Sequence, residues 1–186
     1  MSTPKTVYQL KVTLDDSKPP IWRRILVPDN ITLADLHEII QRTMGWGNYH
    51  LHMFNIFGQV FGDPEDDEYG DFGTKNEKRY RLNQLGLREK TKFSYEYDFG
   101  DSWEHVVLVE KILEPDPDVA YPVCIKGRRA CPPEDVGGVW GYAEFLVAIK
   151  DPNHPEHEMY TEWIGDDFDP AYFEIDEVNS LLARLR

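Results

Sequence analysis

Between Phe93 and Phe99 every second residue is aromatic: Phe93, Tyr95, Tyr97 and Phe99 alternate with Ser94, Glu96 and Asp98. A helix cannot use that spacing, whereas a pleated strand sends alternate side chains to opposite faces and buries one set. "SWEHVVLVEKIL" (Ser102–Leu113) follows as a hairpin partner. The same period runs through "TVYQLKVTL" (Thr6–Leu14), where Tyr8, Leu10, Val12 and Leu14 oppose Val7, Gln9, Lys11 and Thr13. "DDSKPP" turns the chain and "IWRRILVP" (Ile21–Pro28) returns.

The period changes in "ITLADLHEIIQRTMGWG". Thr32 with Asp35 three residues on suits a helix cap, Leu33, Leu36, Ile40 and Met44 mark one helical face, and Gly45 and Gly47 end it. "HLHMFNIFGQVFG" (His50–Gly62) reads as the next strand. Beyond Pro115–Pro117 the chain turns to loops and helices. "YAEFLVAIK" reads as a short helix, "NHPEHEMYTEWIG" as another with Pro155 in its first turn, and the last, capped by Asp176, carries the stripe Ile175, Val178, Leu181, Leu182 and Leu185. The expected fold is α+β: a β-grasp-like mixed sheet in ββαβ order, with an added β-hairpin strand and C-terminal helices. Residues 1–186 are expected to form one domain, with the sheet and helix core over about 5–113 and a loop and helical part over about 114–186.

Acidic residues number 34 against 20 basic ones, a net charge of −14 that repels phosphate backbones and disfavours nucleic acid as a partner. The local basic groups are Arg23/Arg24, Lys75/Lys78/Arg79/Arg81 and Lys126/Arg128/Arg129, each diluted by acids nearby. The acid-rich segment Asp63–Asp71 reads as a solvated loop. It fails the calcium-loop template because Glu68 stands where glycine is required. The N-terminus shows no apolar leader, no apolar run is long enough to span a membrane, and the two cysteines, Cys124 and Cys131, suit a reducing compartment. The expectation is a cytoplasmic protein with no membrane contact.

Candidate chemistry gathers in three places. If Gly100-Asp101 forms a two-residue turn, Asp98 lies opposite Trp103 and Glu96 opposite His105, so these four share one face; a one-residue change in the turn would reverse the neighbours. A carboxylate beside an imidazole can orient it for proton transfer or metal binding, and a solvated strand face explains the same residues. His50 and His52 sit two apart, which on a strand points both the same way. With His105 and Asp98 they are the candidate ligands of a divalent transition metal, and packed core histidines are the alternative. The loop "PPEDVGGVWGY" presents Glu134 and Asp135, then Gly137 and Gly138, which permit a close backbone approach or an anion cradle; structural capping accounts for them equally. The candidate catalytic residues are therefore Asp98, Asp101, His105, Glu134 and Asp135, and the candidate ligand-binding residues Trp46, Trp103, Gly137, Gly138 and Tyr142. Cys124 and Cys131 lack the close pairing of a zinc ribbon and read as buried thiols, a redox pair or half of a metal site.

"IWRRILVP", "GWGNYHLHMF", "YDFGDSWEHVV" and "CPPEDVGGVWGYAEFL", with "FDPAYF" near the end, occur in an order that resembles the plasmid pRiA4b ORF-3-like family over nearly the whole chain. The resemblance implies a small, soluble, mainly prokaryotic protein of uncharacterised function, in a family some of whose members are labelled transposon resolvases. The family's usual loop has the form CPPEDCGG, with a further cysteine where Val136 stands here, which weakens a thiolate-metal role for Cys124 and Cys131. Neither the activated serine nor the Arg–His–Arg–Tyr set of a recombinase is legible, and the charge has the wrong sign for DNA. Three functions stay open: a binding or adaptor module for a protein or peptide, associated with mobile elements; a metal-dependent or acid–base enzyme; and a nucleic-acid accessory protein.

Overall fold

Period-two burial holds along both strands of the first hairpin. β1 (Val7–Leu14) buries Tyr8, Leu10, Val12 and Leu14, and β2 (Trp22–Pro28) buries Arg23, Ile25 and Val27. The computed structural model describes residues 4–66, 73–165 and 167–186, so the calcium-template position Glu68 lies outside the described residues. The remaining strands are β3 (His52–Ile56), β4 (Gln59–Gly62), β5 (Lys75–Asn76), β6 (Lys92–Tyr97), β7 (Trp103–Leu113) and β8 (Val123–Arg128). They form one sheet in the order β5-β4-β3-β6-β7-β1-β2-β8, antiparallel throughout except that β4 and β5 run parallel. The fold is thus α+β around a mixed sheet. The β-grasp-like arrangement is not confirmed: β1 lies between β2 and β7 and is antiparallel to both.

Helix α1 (Leu33–Met44) forms as its sequence predicts. Thr32 accepts from the Asp35 N–H at 3.1 Å, Asp35 accepts from the Thr32 N–H at 2.8 Å, and Gly45 closes the helix at φ 100°. A cap contributes about 1 kcal/mol and each fully buried Leu or Ile about 1.5–3 kcal/mol, so the stripe Leu33, Leu36, Ile39 and Ile40, packed into the core, dominates the helix's stability. Among the described residues three further α-helices follow: α2 (Gly138–Ala148), α3 (His157–Ile164) and α4 (Ile175–Leu182).

Three sequence expectations change. The apolar run after His50 is a hairpin, turned by Phe57 and Gly58 at φ 53° and 77°. The segment after Pro117 contains β8, whose Cys124 backbone is satisfied from α4: Asn179 Oδ1 accepts from the Cys124 N–H at 2.8 Å and Asn179 Nδ2 donates to its carbonyl at 2.9 Å. That pairing covers the edge of the sheet. Third, Arg23 and Arg24 make no shared basic patch, because alternation puts them on opposite faces. Arg23 is buried, donating to the carbonyls of Thr43, Trp22 and Arg128 at 2.7–3.0 Å and stacking on Phe173, while Arg24 pairs with Glu110 at 2.8 Å.

Candidate metal centre

The turn between β6 and β7 has five residues, not two. Tyr97 pairs with Trp103 and Tyr95 with His105, the slip of one residue that reverses the expected neighbours. Asp98 and Ser102 both adopt positive φ, 59° and 54°, and the Asp98 carbonyl accepts from the Ser102 N–H at 2.6 Å. Asp98 holds the bend with its own side chain, Oδ1 accepting from the Gly100 N–H at 2.9 Å. Tyr95, Tyr97, Trp103 and His105 therefore face the core, and Asp98 stands at the end of the strand with Oδ2 uncommitted to the turn.

Two other segments meet this turn. Behind α1, Trp46 packs edge-on against His105 at 5.2 Å and donates its indole N–H to the Pro132 carbonyl at 3.1 Å, which anchors the "PPEDVGG" loop. Gly47 N–H donates to Glu134 Oε1 at 2.6 Å, and the Tyr97 hydroxyl donates to Glu134 Oε2 at 3.1 Å while accepting from the Tyr49 N–H. Burial pushes the Tyr97 phenol up to about 12, so it stays a donor at neutral pH. The loop docks on the turn through Asp101, whose Oδ2 accepts from the Gly137 N–H at 3.0 Å. The Asp101 carbonyl lies so close to Gly138 (φ 67°) that a Cβ there would overlap it.

His50 Nε2 sits where the three segments converge. It stands 3.1 Å from Asp135 Oδ1, 3.4 Å from Glu134 Oε2 and 3.6 Å from Asp98 Oδ2, is shielded from solvent, and makes no hydrogen bond among the described residues. Charge-assisted N–H···O contacts are shorter, about 2.7–2.9 Å. Donors bound about 2.1 Å from one shared cation stand roughly 3.0–3.4 Å apart in octahedral or tetrahedral geometry; the Asp135 and Glu134 contacts fall in that range and the Asp98 contact, at 3.6 Å, lies just outside it. Ligand atoms of His50, Asp98 and Asp135 all lie within 4.8 Å of one another. Asp98 and Asp135 both hold φ 59°, a left-handed conformation that short polar side chains such as aspartate tolerate.

A family model described as "Plasmid pRiA4b ORF-3-like protein" matches residues 6–177. The chain belongs to this family. It is 41% identical over 181 residues to the uncharacterized protein y4hQ of Sinorhizobium fredii, covering 97% of this chain and 92% of that protein. It is also similar to the crystal structure of a protein of unknown function, MM3350 of Methanosarcina mazei, at 43% identity and a TM-score of 0.85, over 94% of this chain and 98% of that one. The names of these family relatives carry no activity, so function has to be argued from the site.

In this family member the sequence candidates divide among several locations. His50, Asp98, Glu134 and Asp135 come together. His52 does not join them, because β3 begins only at His52 and His50 lies in the bend before it. His52 instead meets Glu77 at 2.8 Å and stacks on His37 at 3.4 Å. His105 is a core residue: burial lowers it to about 4, and Nδ1 lies 3.3 Å from the Tyr95 carbonyl. Trp46 and Trp103, expected to bind ligand, are buried in the core. Asp101, Gly137, Gly138 and Tyr142 line a neighbouring groove. Cys124 and Cys131 are free thiols, both raised by burial despite the nearby Arg23.

Sequence reasoning missed Tyr97 and Gly47, which hold Glu134, and His37, which bonds Tyr95 and Asn48 at 2.8 and 2.9 Å. Burial and then the adjacent His52 push His37 down to about 3. Tyr97 reads as one more member of the aromatic alternation, and only its position at the strand end hinted at a polar task.

Proposed function

We propose that this chain is a metal-dependent enzyme with one divalent transition cation held by His50, Asp98 and Asp135, with Glu134 beside them. The reading rests on the shielded, hydrogen-bond-free Nε2 of His50 facing three carboxylate oxygens at 3.1–3.6 Å. One imidazole with two carboxylates favours manganese, iron or zinc over calcium or magnesium, which prefer oxygen donors alone. Such an ion supplies Lewis acidity and lowers the pKa of a bound water, the chemistry of hydrolysis. The Asp135 side chain is 69% exposed, which leaves that flank open to water and substrate. Two free thiols suit a cytoplasmic setting. A binding role toward proteins draws support from a separate observation, the fully solvated Trp140 at the start of α2.

Elemental mass spectrometry on untagged protein tests the metal reading. About one manganese, iron or zinc per chain is expected in the wild type, and its loss in His50→Ala and in an Asp98→Asn/Asp135→Asn double variant. A wild type that takes up none of these ions after incubation with each would overturn it.

A further inference from the structure

The loops that build the candidate metal centre have a second side. Asp98, Glu134 and Asp135 turn toward His50, whereas Gly100, Asp101, Ser102, Gly137 and Gly138 line an open groove of about 600 Å³. The rest of its lining comes from the first hairpin turn, Asp15 to Lys18, from Glu104, and from Val139, Trp140, Tyr142, Ala143 and Leu146 of α2. Three features of this groove have no internal explanation. Trp140 is 89% exposed on a helix whose other aromatics, Tyr142 and Phe145, are buried. The carboxylates of Asp16 and Glu104 have no hydrogen bond or ion pair among the described residues, whereas Asp15 accepts from the Asp16 N–H and Asp101 from the Gly137 N–H. Tyr142, in the same lining, keeps a buried hydroxyl without a hydrogen-bond partner among the described residues.

We propose that this groove docks a lysine- or arginine-rich segment of a protein partner. Four carboxylates (Asp15, Asp16, Asp101 and Glu104) face one cation, Lys18, so the groove is complementary to positive charge. The indole face of Trp140 suits a guanidinium or ammonium, and Val139 and Leu146 suit the methylene stems of the same side chains. A neutral apolar helix laid here would strip water from Asp16 and Glu104 and return no counter-charge. Phosphate-bearing partners, whether nucleic acid or anionic lipid, are repelled. Contact between Gly138 and the Asp101 carbonyl, with the Gly137 hydrogen bond, sets the wall before any partner arrives and lowers the ordering cost of binding.

The proposal does not depend on the metal, so binding is measured in metal-free wild type. Fluorescence anisotropy of a short labelled peptide alternating Lys or Arg with Leu, at low ionic strength, is compared with the same peptide carrying Glu for its basic residues. Binding of the basic peptide only is expected, weakening with salt. Trp140→Ala and Asp16→Asn/Glu104→Gln should each weaken it about tenfold, and Trp140→Phe should retain most of it. The control is Glu114→Gln/Asp118→Asn, two exposed acids past the far end of β7 and outside the groove lining. If that control loses as much affinity as the groove variants, attraction to net charge alone accounts for the binding and the site is refuted. No binding in the wild type, or full binding in Trp140→Ala, refutes it equally.

Discussion

His105 lies wholly in the core. It is packed between Trp46 and Tyr95, and burial lowers its folded pKa from 6.5 to about 4. A histidine depressed in the folded state binds fewer protons there than in the unfolded chain, so its contribution is present above pH 6.5 and is lost as pH falls toward 4. The size is about 3–4 kcal/mol, taking roughly 1.4 kcal/mol per pKa unit. Urea unfolding followed from pH 7 to 4 should show stability falling with acid, and His105→Gln should flatten the slope even if the variant is less stable at pH 7. An unchanged slope would show that His105 does not titrate as its burial requires. The same residue illustrates what a sequence withholds. Its polarity suggested chemistry, and the alternation of its strand was read correctly. Its assignment to the core still turned on a single residue of hairpin register.

At the scale of elements, legibility followed one-sided burial. β1, β2, β6, β7 and α1 each bury one face and leave the other wet, so their periods show in the sequence. β8 does not, because it is an edge strand whose outer backbone is satisfied by the α4 side chain Asn179 rather than by another strand. The turn after β6 was misread because Gly100-Asp101 is good two-residue turn chemistry. Asp98 overrides it by accepting the Gly100 N–H and tolerating φ 59°. The "PPEDVGG" loop was recognised as unusual, but its target was not legible, since Asp101 and Gly138 lie far apart in the chain. That contact can be tested. Gly138→Ala places a methyl against the Asp101 carbonyl at φ 67°, so strain and overlap add, and a loss of about 1–3 kcal/mol is expected in thermal or urea unfolding. Gly58→Ala is the control: its φ of 77° brings the same backbone strain, but nothing lies within 4 Å of the added methyl. Equal losses in the two would mean that the docking contact contributes nothing.

Across the whole molecule, the candidate centre ties together three stretches that the sequence keeps apart: the loop after α1, the β6–β7 turn and the loop before α2. This is why single motifs could not reveal it. His50 was paired with His52 on the sequence, whereas its nearest charged neighbours are 48 to 85 positions away. A cation bound at such a point would act as a cross-link among non-local segments, and by linkage it stabilises the folded state by RT ln(1 + [M]/Kd), about 2.7 kcal/mol at a hundredfold excess over Kd. For a chain of this size each kcal/mol moves the unfolding midpoint by about 2–4 °C, so a rise of roughly 5–10 °C is expected on adding manganese, iron or zinc to metal-free protein. His50→Ala should show little of that rise, while His52→Ala, which removes a side chain bonded to Glu77 instead, should keep it even from a lower starting midpoint. If both variants keep the shift, the cation is bound by the acidic surface at large, and if His52→Ala alone loses it, the cation is bound through the His37–His52–Glu77 cluster. If His50→Ala alone loses it, a net charge of −14 is not the cause, because removing an imidazole that is neutral in that count leaves it unchanged.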